Sequence, residues 1–114
     1  MTWAELCKLG LALPGTELST SYGTPAIKVK GKLIARLKED GKDVVLFIEN
    51  LDEQEALCAA FPAVYYITDH YRGYPAVLAR LAKLRVAEAR TRLDRTWWRQ
   101  APKKLQQARA AEEA

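Results

Sequence analysis

Two stretches of the chain carry side chains that can do chemistry. The first, residues 24–38, reads "TPAIKVKGKLIARLK", and places Lys28, Lys30, Lys32, Arg36 and Lys38 at even-numbered intervals with no acid among them. On an extended strand, lysines two residues apart stand about 6–7 Å from one another on one face, close to the phosphate spacing of a nucleic-acid strand. Such a row can follow a phosphate backbone without reading bases. Alternating lysine is also how edge strands avoid aggregation, so the pattern alone has low specificity. The second stretch, residues 68–75, reads "TDHYRGYP" and holds the single histidine, His70, beside Tyr71 and Arg72. Two readings of it stay open. As a corner of the fold, Asp69 and His70 bond backbone groups at a strand end. Tyr71 and Tyr74 then pack over the sheet edge, while Gly73 and Pro75 shape the turn. On that reading, His70→Ala strands a buried polar partner and costs about 1–3 kcal/mol. As a ligand cleft, His70, Tyr71 and Arg72, with Tyr22, stack on or bond a base or phosphate.

Other chemistries find no support. One histidine cannot build a multi-histidine metal site, and Cys7 and Cys58 are too far apart in sequence for a zinc knuckle. Both cysteines fall in partly apolar helical patterns and read as buried free thiols of a reducing cytoplasm. There is no Gly-rich phosphate loop and no G-x-S-x-G elbow. A Cys–His nucleophile pair would need His70 to meet Cys7 or Cys58 in space. The seven acids of residues 39–58 sit on a turn and a helix start, where capping and dipole effects already call for carboxylates. The expectation is therefore a chain with no enzyme activity, no metal and no cofactor.

With 114 residues, 49% hydrophobic and 28% charged, the chain fits one globular domain able to bury a core. No apolar run nears the roughly 18 residues a membrane span requires, and the N-terminus has no signal-peptide pattern. The net charge is +4 and unevenly spread. Residues 24–38 are basic, 39–58 acidic, and 80–104 basic again, which favours a dipolar surface with one face attractive to a polyanion.

These stretches need elements to position them. Thr2 with Glu5 forms a capping box for a first helix, which Pro14-Gly15 ends. Residues 17–22 suit an edge strand, and Gly23-Thr24-Pro25 a turn. Ile27 and Val29 alternate with lysines, as do Leu33, Ala35 and Leu37, so two half-buried strands join at residues 29–32. Residues 39–42 make a second hairpin turn of the Asp-Gly kind. The apolar run 44–48 reads as a central strand covered on both faces. Asp52 caps a helix through Ala60, and residues 64–68 form a further strand. Residues 76–81 fit strand or helix, and strand is favoured. Val86, Ala89, Leu93 and Trp97 define an amphipathic helix with Arg90, Arg92 and Arg95 on its other faces. Residues 103–114 are a short helical or fraying tail. The order makes an α+β domain over residues 1–114, an antiparallel meander with helices packed on one face.

Three segments, "SYGTPAIKVKGKLIARL", "AAFPAVYYITDHYRGYPAVLARL" and "TWWRQAPKKL", together resemble the MmcQ/YjbR family of small bacterial domains. The resemblance covers Tyr22, Gly23, Thr24 and Pro25, then His70, Tyr71, Gly73 and Pro75, then Trp97, Ala101, Pro102 and Lys103. The doubled Trp97-Trp98 and the alanine-rich tail depart from the pattern. The resemblance implies a CyaY-like α+β fold with a double-wing, DNA-binding character, and it carries no iron ligands with it. The functional expectation is weak nucleic-acid binding through a basic hairpin face by Lys28, Lys30, Lys32, Arg36, Lys38 and Arg72. The alternative is a protein- or small-ligand-binding module that uses His70, Tyr71 and Tyr22.

Overall fold

The computed structural model describes residues 1–114. The chain runs α1 (Trp3–Leu11), β1 (Thr16–Ser21), β2 (Thr24–Val29), β3 (Lys32–Leu37) and β4 (Asp43–Phe47). It continues with α2 (Leu51–Ala60), β5 (Tyr65–Tyr66), β6 (Ala76–Arg80), α3 (Val86–Gln100) and α4 (Lys103–Glu113). Six strands form one antiparallel sheet in the order β1-β2-β3-β4-β6-β5. The α+β meander read from the sequence is the fold. Residues 76–80 are strand, while the expected strand at 64–68 shrinks to Tyr65–Tyr66.

Two tandem hairpins open the sheet, and each turns on two residues with positive φ. Tyr22 (φ 52°) and Gly23 (φ 77°) join β1 to β2, and Lys30 (φ 47°) and Gly31 (φ 83°) join β2 to β3. Paired positive φ is the geometry whose twist matches flanking antiparallel strands. Pro25 lies one residue beyond the last β2–β3 pair, Ala26 with Arg36, so its missing N–H costs that ladder nothing.

The β2–β3 pairing contains a bulge. Ile27 faces Ala35, but Lys28 faces Leu33, which leaves Ile34 as an extra residue. Ile34 and Ala35 are both fully buried. The strict alternation of Leu33, Ala35 and Leu37 therefore does not hold, because the bulge sends Leu33 to the face that carries Lys28 and Arg36.

The helices cover one face. Leu6 of α1, Leu57 of α2 and Ala89, Leu93 and Trp97 of α3 pack on Ile27, Val29, Val44, Leu46, Val77 and Ala79. Trp97 is wholly buried, and its indole N–H donates to the Pro14 carbonyl at 2.8 Å, tying α3 to the turn after α1. Arg92, expected on an exposed face of α3, is buried because it ion-pairs with Glu53 of α2 and Glu88. Asn50, not Asp52, caps α2, its side chain accepting from the Glu53 N–H. In α4, the Arg109 guanidinium lies over Trp97 and Trp98 at 4.8 and 4.7 Å and bonds Asp94 at 2.5 Å, so the C-terminal helix is docked. Cys7 is buried and Cys58 half-buried, both on the helix side, and both are free thiols. No helix is long and apolar enough to cross a membrane.

A smaller cluster of Val45, Tyr71, Ala76 and Leu78 covers part of the other face. Residues 69–75 supply this cover, and α2 holds them. The buried Gln54 side chain donates through Nε2 to the carbonyls of Tyr71 (3.2 Å), Tyr74 (2.8 Å) and Ala76 (2.7 Å). Gln54→Leu keeps the volume but removes the donor from three carbonyls. Unfolding free energy from urea titration should fall by about 1–3 kcal/mol. Hydrogen exchange at the amides of Tyr71 and Tyr74 should speed up at the same time. An unchanged stability would show that the turn holds itself.

Candidate functional site

Beside the partial cover, the helix-free face of the sheet is concave. A cleft of about 910 Å³ opens there, with β2, β3 and β4 as its floor and the β1–β2 turn and residues 70–74 as its walls. Lys28, Leu33, Arg36, Val45 and Phe47 line the floor, and Tyr22, His70, Tyr71 and Tyr74 stand around it.

Arg36 is the centre of the site. The register puts it opposite Val45 on the open face, where it is only 7% exposed. A buried guanidinium must find partners, since leaving it unpaired is strongly unfavourable. Its Nη1 donates to Thr24 Oγ1 (3.2 Å) and Glu39 Oε1 (3.0 Å), and its Nη2 to the Tyr71 hydroxyl (2.9 Å). Burial works against its charge, but the bonds to Glu39 and Tyr71 outweigh that, and its pKa lies above the ordinary guanidinium value. The Glu39 carboxyl is held below the usual range by its own backbone N–H first and by Arg36 second.

Tyr22 shows the opposite economy. It is 88% exposed, the most exposed large apolar side chain of the chain, and its backbone sits in the left-handed region that bulky residues avoid. One ring face meets Arg36, whose guanidinium carbon is 5.5 Å from the ring centre. Such a contact returns only about 0.5–1 kcal/mol at an exposed site. The rest of the ring is presented to solvent at the mouth of the cleft. Tyr74 is also half in water, at 51% exposure.

The residues singled out in the sequence divide cleanly. Lys28, Arg36, Tyr22, His70 and Tyr71 come together in this one cleft, so the basic hairpin and the aromatic corner are a single surface. Lys30, Lys32, Lys38 and Arg72 do not line it. The expected row of five cations is not assembled, because the chain reverses at Lys30-Gly31 and Lys28 and Lys32 stand on different strands. Lys32 pairs with Val29, on the face toward the helices, and Lys30 reaches back over Gly15. Arg36, expected to face phosphate freely, is committed to three partners. Arg72 is exposed and pairs only with Asp69.

The corner reading is right for Tyr71 and needs correction for its neighbours. Tyr71 is buried in the open-face cluster. His70 is exposed, makes no hydrogen bond, and touches Tyr71 edge-on at 4.9 Å. Asp69 bonds Arg72 rather than a strand end. His70 and the two cysteines lie on opposite sides of the sheet, so no Cys–His pair forms. No three His, Cys, Asp or Glu side chains converge as a metal-ligand group would. Sequence reasoning missed Gln54 and the positions of Glu39 and Tyr74. Gln54 sits in a helix of weak amphipathicity, which gave no signal of a buried polar residue.

A model of the family described as YjbR matches residues 11–99. The chain belongs to the YjbR family. Both hairpins, the cleft and all but the last residue of α3 lie within the matched span. Among curated proteins, the chain is similar to Uncharacterized protein Rv2570 of Mycobacterium tuberculosis and Uncharacterized protein Mb2600 of Mycobacterium bovis. Each is 49% identical over 53 residues, which is 46% of this chain and 41% of the relative. The match thus spans less than half the length of these relatives. No solved structure matches.

Two substitutions check the placement of these YjbR-family residues. Tyr22→Asn relieves the strained turn, and stability should rise by about 0.5–1 kcal/mol once the lost Arg36 contact is counted. His70→Ala should leave stability within about 0.5 kcal/mol of the parent, as for other exposed sites. Thermal or urea unfolding reads both. A large loss in the His70 variant would restore the view of it as a buried bonding partner.

Proposed function

We propose that this chain is a non-enzymatic nucleic-acid-binding domain whose open sheet face meets the phosphate backbone weakly. The observation that carries the reading is the cleft itself. It gathers Lys28 and Arg36 against the single carboxylate of Glu39, among the exposed rings of Tyr22, His70 and Tyr74. Cations beside solvent-facing aromatics are what a groove for a nucleic-acid strand needs. Lys30 and Lys32, exposed at the tip of the β2–β3 hairpin, carry positive charge beyond the cleft. Two consecutive hairpins in one sheet support the double-wing character that the family resemblance implies. Binding rather than catalysis is favoured because no hydroxyl in the cleft is hydrogen-bonded to a general base. A cytoplasmic site of action suits two free thiols. The rival reading, a module for a small ligand or a partner protein, uses the same cleft, and only the nature of the ligand separates the two.

With Lys32 turned toward the helix side, Lys28, Lys30 and Arg36 offer two or three phosphate contacts. The log–log salt slope should then be about −2 to −3 on duplex DNA and about −1 to −2 on single strands. Fluorescence anisotropy with a labelled oligonucleotide, titrated from low to moderate salt, measures it. Lys28→Glu should weaken binding at least tenfold while unfolding stays unchanged. A salt-independent affinity, or full affinity in the Lys28 variant, would refute the reading.

A further inference from the structure

Resting on the nucleic-acid reading above, we propose that the open-face cleft is a single-nucleotide pocket. It takes one unstacked base with its phosphate, so the domain selects single strands, ends and bulges over continuous duplex.

The first argument is the free hydrogen-bonding capacity of Arg36. A guanidinium has five N–H donors. Three are used, two by Nη1 and one by Nη2, which leaves the Nε–H and one Nη2–H. The Nε–H lies on the edge of the guanidinium that can grip a phosphate or carboxylate. The Nε atom has no protein partner and is not sealed from solvent, unlike the Arg92 and Arg109 nitrogens, which are. Tyr71, Thr24 and Glu39 meanwhile hold the plane of the group still, so little side-chain entropy is lost when an anion arrives.

The second argument is the aromatic wall. Arg36 approaches the Tyr22 ring to 5.5 Å from its centre, and the ring, 88% exposed, is open to a stacking partner. A base laid against Tyr22 at the mouth of the cleft would have its phosphate beside Arg36 and Lys28, which line the same cleft. Tyr74 and His70 offer further ring surface in the same cleft. In a duplex the base faces are hidden against their neighbours, and only groove edges are on offer. A pocket that recognises a ring face therefore needs a base out of the stack.

The third argument is size. A volume of about 910 Å³ falls within the range of pockets that enclose one small organic ligand, with room to spare for a mononucleotide. It is a site for one unit of a strand, from which the neighbouring phosphates run out toward the hairpin tip.

The test uses the full chain and three probes: a labelled single-stranded 12-mer, the duplex of the same sequence, and adenosine monophosphate as competitor beside adenosine. The single strand should bind at least tenfold tighter than the duplex at equal salt. Adenosine monophosphate should displace it at millimolar concentration, and adenosine at least tenfold less effectively. Tyr22→Asn, which the turn geometry favours, should lower single-strand affinity by about 5- to 100-fold, the effect of one lost base–aromatic stack. Phe61→Asn removes another exposed ring, outside the cleft, and should lower it by less than threefold. Equal affinity for single strand and duplex, with no effect of Tyr22→Asn, would overturn the pocket and leave the backbone reading standing. Failure of either strand form to bind in a salt-dependent way would remove that reading, and the pocket with it.

Discussion

The open face of this domain is organised by one desolvated charge. Arg36 sits on the floor of a sheet that the helices cover from the other side only, and a guanidinium in that position is tolerable only with partners on several sides. Those partners come from three different parts of the chain: Thr24 at the start of β2, Glu39 in the β3–β4 turn, and Tyr71 from the segment that crosses the face. Meeting them fixes the first hairpin, the second turn and residues 69–75 relative to one another. The cleft is the space that remains between these three.

Two backbone features place Arg36 where it is. The bulge at Ile34 lets two consecutive residues enter the core and returns the strand to its alternation one step out of phase. Without it, Leu33 and Arg36 could not share a face. The paired positive-φ turns then set how the hairpins project. Tyr22 occupies a position where glycine or asparagine would be favoured, and spends its ring on solvent and on Arg36. Lys30 holds the same left-handed conformation in the next turn, so both hairpins carry this cost in stability.

The helical layer does a different task. Trp97 binds α3 to the turn after α1, and Arg109 docks α4 over the Trp97–Trp98 pair, so both termini are anchored on the face away from the cleft. The YjbR match ends near the close of α3, before this last helix. The family span thus contains the parts that build the cleft, and α4 adds a buttress behind it. Gln54 is the link between the layers, since one side chain of α2 holds the cover of the opposite face by three carbonyls.

Much of this was legible in the residues. Alternation, Gly-containing turns and the capping box at Thr2 determined the meander, the first helix and the α+β class, because those signals act over a few residues and water alone reads them. The family resemblance was likewise carried by short local segments. The cleft was not legible, and the reason is geometric. Counting every second residue assigned Lys28, Lys30 and Lys32 to one row, although the strand junction at residues 29–32, itself legible, reverses the chain in its middle. A single extra residue at Ile34 moved Leu33 to the other face, and burial converted Arg36 and Arg92 from surface charges into bonded ones. One of the two readings of His70 made it a buried partner, and it is exposed, while Gln54, which gave no signal, is buried. In each case the outcome depends on which distant segment arrives opposite the residue. The sequence by itself determined the elements and the kind of side chains the open face would carry; only the packing of distant segments decided which of them meet, because burial and pairing are properties of neighbours in space.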